Sequence, residues 1–205
     1  MSTPSYPLSL PTSPNFSQST FEIVRKTGFT ESPFTGKQQV HEYPYALWRA
    51  TLSLPPIKQT DWNNWSVFVM QMRGRRGTFL LGDPDCTTQG TATGTILSNG
   101  TTNAGATQIS LDGFTNTGTI VKGDYLQIGA DGSNTLHLVT ATATASGGAM
   151  TVNFEPATRS AIANNTSVIF GANSKGIFRM DSDVYGWEAN AVSLYGFTFS
   201  CTQAL

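Results

Sequence analysis

Charge is scarce in this chain. Its 205 residues carry 12 Lys+Arg and 13 Asp+Glu, so only 12% of side chains are charged, where soluble domains average roughly 25%. The formal net charge of −1 excludes a strong overall field that would draw nucleic acid or an anionic membrane surface. Cysteine is nearly absent: Cys86 stands beside a Pro-Asp turn and Cys201 lies far downstream. Two cysteines so placed give neither a disulfide framework nor a CxxC metal or redox motif. They read as free thiols of a chain assembled in a reducing cytoplasm. No apolar run approaches the ~20 residues of a membrane helix, so no membrane insertion is expected. The opening MSTPSYPLSLPTSP has no basic region ahead of an apolar stretch, which predicts no secretory signal.

Catalytic patterning is missing as well. There is no GxSxG, HExxH or P-loop, and no GxGxxG in the right context. His41 and His137 are the only histidines; each falls in a predicted strand without a second ligand at metal spacing. Both read as packed or exposed strand residues. The expectation is a protein that is not an enzyme, with no catalytic residue, no bound metal and no cofactor.

What is present is apolar and turn-forming. Apolar residues make up 39% and aromatics 11%, too much for intrinsic disorder, and the length suffices to bury a sizeable core. Residues 1–19, rich in Pro and Ser, read as an extended arm, disordered in a monomer or laid across a neighbour in an assembly. FEIVRKTGF reads as a strand, ESPFTGKQQVHEYP as a turn and second strand, and YALWRATLSLPP as a third. The spacing predicts one helix over about 60–74. Thr60 is its expected N-cap and Trp62, Trp65, Phe68 or Val69, and Met72 its apolar stripe; Arg73 falls in the last turn and Gly74 closes it. A short TFLL strand follows. From Cys86 to about Ala172 the texture turns to Thr, Gly, Ala, Asn and Ser, with short strand candidates ATQISLDGF, TIVKGDYLQIG, TLHLVTATAT, AMTVNFEP and TSVIFG. The loop ADGSNT joins two of them as a hairpin. After residue 172 the aromatic texture of the first part returns. The expected organisation is one β domain from residues 20–85 plus 173–205, with residues 86–172 inserted as a second β domain at a turn.

Two kinds of charged cluster remain. Asp83 and Asp85 flank Pro84, and Asp181 and Asp183 flank Ser182. Paired carboxylates suit Ca²⁺, but aspartates bonding their own turn backbone are the commoner case. A carboxylate pair at Asp181 and Asp183 would also be the minimum for a glycosidase. RGRRG, with Arg73, Arg75 and Arg76, is the densest positive charge. It fits a salt-bridged subunit contact, a solvated turn or a phosphate contact.

The run from YALWRATLSLPP through the Trp-rich helix to VMQMRGRRGTFLLGDPD resembles the distal tail or minor tail proteins of tailed bacteriophages. The matching features occur in order. They are the Trp48-Arg49 pair ahead of Pro-Pro, the helix running into RGRRG, the TFLLGDP strand, GDYLQIG followed by LHLVT, and the closing YGFTFS. The resemblance covers the chain from about Phe21 to its end. It implies a mainly β fold: a tube-like antiparallel β-sandwich with one flanking α-helix and an inserted small β-barrel or β-sandwich. It also implies a structural virion protein of the tail, assembled in the bacterial host cytoplasm. Such proteins form a ring, commonly a hexamer, that joins the tail tube protein to the tail tip or baseplate hub, with DNA passing through as cargo. Subunit-interface candidates are then Arg73, Arg75, Arg76, Trp48 and Arg49. The alternative the resemblance offers is a carbohydrate-binding β module whose inserted domain contacts host surface glycan, with Phe114, Tyr125 and Phe154 as its aromatic candidates.

Overall fold

The computed structural model describes residues 4–189 and 194–204; the first residues of the arm and residues 190–193 of the closing segment lie outside them. The fold is mainly β with one α-helix. The first part contains β1 (Leu8–Ser9), β2 (Gln18–Glu31), β3 (Gln38–Ser53), α1 (Gln59–Met72) and β4 (Phe79–Leu81). The middle contains β5 (Gly94–Ser98), β6 (Gln108–Phe114), β7 (Thr119–Ile120), β8 (Tyr125–Ile128), β9 (Thr135–Ala141), β10 (Ala143–Thr144), β11 (Ala149–Glu155) and β12 (Val168–Phe170). The last part contains β13 (Gly176–Met180), β14 (Glu188–Ala189), β15 (Tyr195–Gly196) and β16 (Thr198–Gln203).

Strands of the first and last parts share a six-stranded sheet in the order β1-β4-β13-β16-β3-β2. Its pairs are antiparallel except β1 with β4. Period-two alternation gives the sheet an inner apolar face of Phe21, Trp48, Ala50, Leu52, Phe79, Phe178, Phe199 and Cys201. The helix buries Trp62, Trp65, Phe68, Val69 and Met72 against that face, the stripe expected from the spacing. Its ends differ from expectation. Lys58, not Thr60, occupies the N-cap, with no side-chain cap hydrogen bond. At the other end Arg73 itself adopts the left-handed conformation (φ 52°) and donates its N–H to the Met70 carbonyl.

The middle strands form a second six-stranded sheet, β12-β8-β9-β11-β6-β5. Its outer strands nearly meet: Ser98 N–H donates to the Thr166 carbonyl and Asn165 N–H donates back to the Ser98 carbonyl, both at 2.9 Å. The result is a small, almost closed barrel around Ile109, Leu111, Ile120, Leu126, Val139, Val152 and Phe154. The expected hairpin across ADGSNT is the β8–β9 pair. The GTILS strand β5 was not foreseen, because one Ile-Leu pair is too little apolar alternation to register.

Two expectations are corrected. The arm does not stand free: Leu8, Leu10 and Phe16 pack on the sheet's own core. Tyr6 OH donates to the Gln71 carbonyl at 2.7 Å, and Trp65 Nε1 donates to the Ser13 carbonyl. Pro turns along the arm leave few backbone donors to satisfy, so apolar side chains anchor it instead. Secondly, the second and third expected strands are one 16-residue strand, β3. Pro44 does not end it, because the β2–β3 ladder is interrupted there: pairing jumps from Arg25–Ala46 to Thr27–Glu42. A proline without an N–H costs no ladder bond at such an irregularity. Beyond it, β2 and β3 continue as a two-stranded ribbon that leaves the body of the protein.

Candidate functional site

The barrel docks on the inner face of the sheet beside the helix. Leu136 and Leu138 of β9 and Tyr125 of β8 join the sheet's core. Trp48 Nε1 donates to the Leu136 carbonyl at 2.8 Å. Phe21, Trp48 and Tyr125 form a triangle with ring centres 5.5–6.2 Å apart, Tyr125 edge-to-face with the other two and Phe21 tilted against Trp48. Tyr125 OH donates to Asp83 Oδ2 at 3.0 Å; burial, then the Asp83 charge, pushes the phenol's pKa upward. Arg25 ties the ribbon's root to the barrel, reaching Glu155 at 2.9 Å and Glu42 at 3.2 Å. Arg159 of the barrel donates to the Ala46 carbonyl.

This seam relocates several candidate residues. Trp48 is buried inside the seam and offers nothing to a second subunit. Arg49, its neighbour on β3, points to the opposite, open face, where it meets Asp181 at 3.2 Å and Glu22 at 3.9 Å. Phe154 is fully enclosed and Phe114 nearly so in the barrel core, and Tyr125 is committed to the seam. Phe114 and Phe154 so enclosed present no face on which a sugar could stack, which corrects those two choices as glycan contacts, while half-buried Tyr125 is engaged by Phe21, Trp48 and Asp83.

The two charged clusters, distant in sequence, meet on the open side. Arg75 N–H donates to Asp183 Oδ1 at 2.8 Å, and its guanidinium donates to the Asp181 carbonyl. Asp181 also accepts from Thr202 Oγ1 at 2.6 Å. Arg75 is thus tied to its own chain, its main-chain N–H to a carboxylate and its guanidinium to a main-chain carbonyl. Arg73 and Arg76 remain exposed, with no ion pair among the described residues. Arg179, which the sequence reading did not single out, lies in the same groove as Arg49, Arg75 and Asp181. Hydroxyl pairs Thr51–Ser200 (3.0 Å) and Ser53–Thr198 (2.9 Å) continue this face.

The histidines are separated as well. His41 lies exposed on the ribbon with its ring against Tyr43. His137 is buried in the barrel, Nδ1 2.7 Å from the Pro156 carbonyl and Nε2 2.8 Å from Thr135 Oγ1. A carbonyl only accepts, so Nδ1 carries the proton and Nε2 accepts from Thr135. Asp124, also buried, accepts from the N–H groups of Gln89, Gly90 and Val121 at 2.9–3.0 Å, pinning the loop that enters the barrel. Among the described residues no group of three His, Cys, Asp or Glu could hold a metal, and no helix is long and apolar enough to cross a membrane.

The remaining surface of note is the ribbon. Phe29, Phe34, Val40 and Tyr43 are exposed to 58%, 95%, 62% and 51%, an unusual concentration for side chains of that size. Among the described residues the outer edge of β2 has no partner strand. No protein-family model matches this sequence, and no curated protein matches it.

Proposed function

We propose that this chain is a structural subunit of a bacteriophage tail, a distal component that closes into a ring, with six copies the first expectation, between the tail tube and the tip or baseplate hub. The observation that carries the reading is the 14-residue strand β2, whose outer edge has no partner strand among the described residues, and the ribbon that its far end forms with β3. Long apolar edges are aggregation hazards that natural proteins cover. A ring covers every such edge with the next copy, through a head-to-tail contact that closes by rotation. The sheet with its flanking helix and the barrel between β4 and β13 support the same reading. In it, the open face of hydroxyl pairs, the Arg49–Asp181 ion pair and Arg75 lines the channel, and DNA passing as cargo meets no strong field. The chain then catalyses no reaction and resides in the virion tail.

The test is the solution mass by light scattering across a concentration series, with negative-stain images of large species. Closed rings are the expected result, and antibodies to the chain should decorate the distal end of the tail in purified virions. A protein that neither oligomerises nor is found in virions would end this reading.

A further inference from the structure

The ribbon poses a physical problem within a single chain. Two-stranded ribbons are marginal in water unless a third strand or a packed surface completes them. In the register, Phe29 faces Val40 directly across the ribbon, and Glu31 and Glu42 lie two residues away on the same face. That face is an apolar pair flanked by Glu31 on one side and by Glu42, already held by Arg25, on the other.

Among the described residues a second exposed apolar surface lies elsewhere on the chain. On the outer side of α1, Val67 and Met70 are exposed to 55% and 64%, beside Trp187 at 42%. They line a groove of about 640 Å³ floored by Trp62 and Tyr195 and reached by Arg73. Trp62 and Tyr195 stack there with ring centres 5.6 Å apart and planes within 4°. Arg73 is the exposed, left-handed cap residue whose guanidinium has no ion pair among the described residues. The groove therefore sets an apolar strip of Val67, Met70 and Trp187 beside Arg73, within a polar rim of Gln59, Asn63, Ser66 and Gln71, and the ribbon face sets an apolar pair beside Glu31. The two surfaces are complementary and unlike, as a head-to-tail contact between copies requires.

We infer that the ribbon of one copy lies in the α1 groove of the next, with Phe29 and Val40 against Val67 and Met70 and Glu31 toward Arg73. The inference rests on the self-assembly reading and adds to it the pair of surfaces that meet. A groove filled this way also completes the ribbon's open face with packed surface.

The contact is tested in the full-length chain carrying Cys86→Ser, so that the other native thiol, Cys201, stays buried. Val40→Cys and Met70→Cys are made separately, one with a size tag, and mixed under mild oxidation. A mixed disulfide dimer that neither variant forms alone is expected. Linkage of Val40→Cys to itself, or no linkage, overturns the inference. In parallel, Phe29→Ser/Val40→Ser should shift association to at least tenfold higher concentration, with an unchanged circular dichroism spectrum because both side chains are exposed. Rings that survive this double change and give no mixed disulfide overturn the inference but leave the ring reading standing. A wild-type chain that stays monomeric overturns the inference, and one that is also absent from virions overturns the ring reading with it.

Discussion

His137 couples the barrel to pH. Burial, with the nearby Arg159 charge, pushes its pKa down from 6.5 to about 4. In the unfolded chain the imidazole takes its proton near pH 6.5; in the fold it resists until about pH 4. The stability it contributes is therefore present above pH 6.5 and is lost as the pH falls from 6.5 toward 4, by up to about 3 kcal/mol. Thermal melts between pH 7 and 4 should show this slope, and His137→Gln should flatten it while lowering stability at neutral pH. At the seam, Trp48→Phe keeps the ring but strands the Leu136 carbonyl. A loss of about 1–2 kcal/mol is expected, with faster proteolytic cleavage near residues 82–86. A Trp48→Phe protein as stable as wild type would mean that this hydrogen bond holds nothing together. Some of this was legible from single residues. Neighbours on a strand point to opposite faces, so Trp48 and Arg49 could not both serve one interface, and the aromatic partner belonged inside. The pairing of Arg75 with Asp181 and Asp183 was not legible, because it joins positions more than a hundred residues apart.

At the scale of elements, α1 begins without a side-chain cap and with a cation at the position where the helix dipole favours an anion. Lys58→Asp should therefore raise stability by about 1 kcal/mol, read as a higher melting temperature with an unchanged spectrum. The opposite is expected in the barrel, where Gly94 (φ 135°) pairs with Phe114 across β5–β6 and lies against the Gly113 carbonyl. A Cβ on either glycine would collide with the backbone of the other strand. Gly94→Ala should cost on the order of 3 kcal/mol, and native-like stability in that variant would contradict the observed approach. The helix stripe, the β8–β9 hairpin and most barrel strands were readable because periodicity and turn residues are local signals. The fusion of two expected strands into β3 was not. Whether Pro44 ends a strand depends on the partner across from it, which no local pattern encodes.

For the whole molecule, the two cores predict unequal independence. The barrel encloses its own apolar cluster, so a peptide of residues 84–173 should fold alone with a cooperative melt. The sheet without the barrel would expose Phe21 and the Trp48 indole, and should aggregate or melt well below the intact chain. A disordered isolated barrel would show that the seam, not the enclosed cluster, holds it together. The aromatic texture shared by the first and last parts has its counterpart in a sheet that takes strands from both. Their division of one core with the helix and the barrel's end was beyond sequence, because docking is set by shape rather than pattern.

The pairing of Leu81 with Gly176 also bears on the order of events in folding. Joining β4 to β13 closes a loop that contains the entire barrel. With that span still a random coil, closure costs on the order of 4 kcal/mol of chain entropy. With the barrel already formed, its entry and exit lie side by side and most of that cost has been met. The barrel's strands pair mainly with near neighbours in the chain, so they can assemble first. The last strands to arrive, β13 and β16, would then be delivered to a waiting edge by a body that has already taken shape.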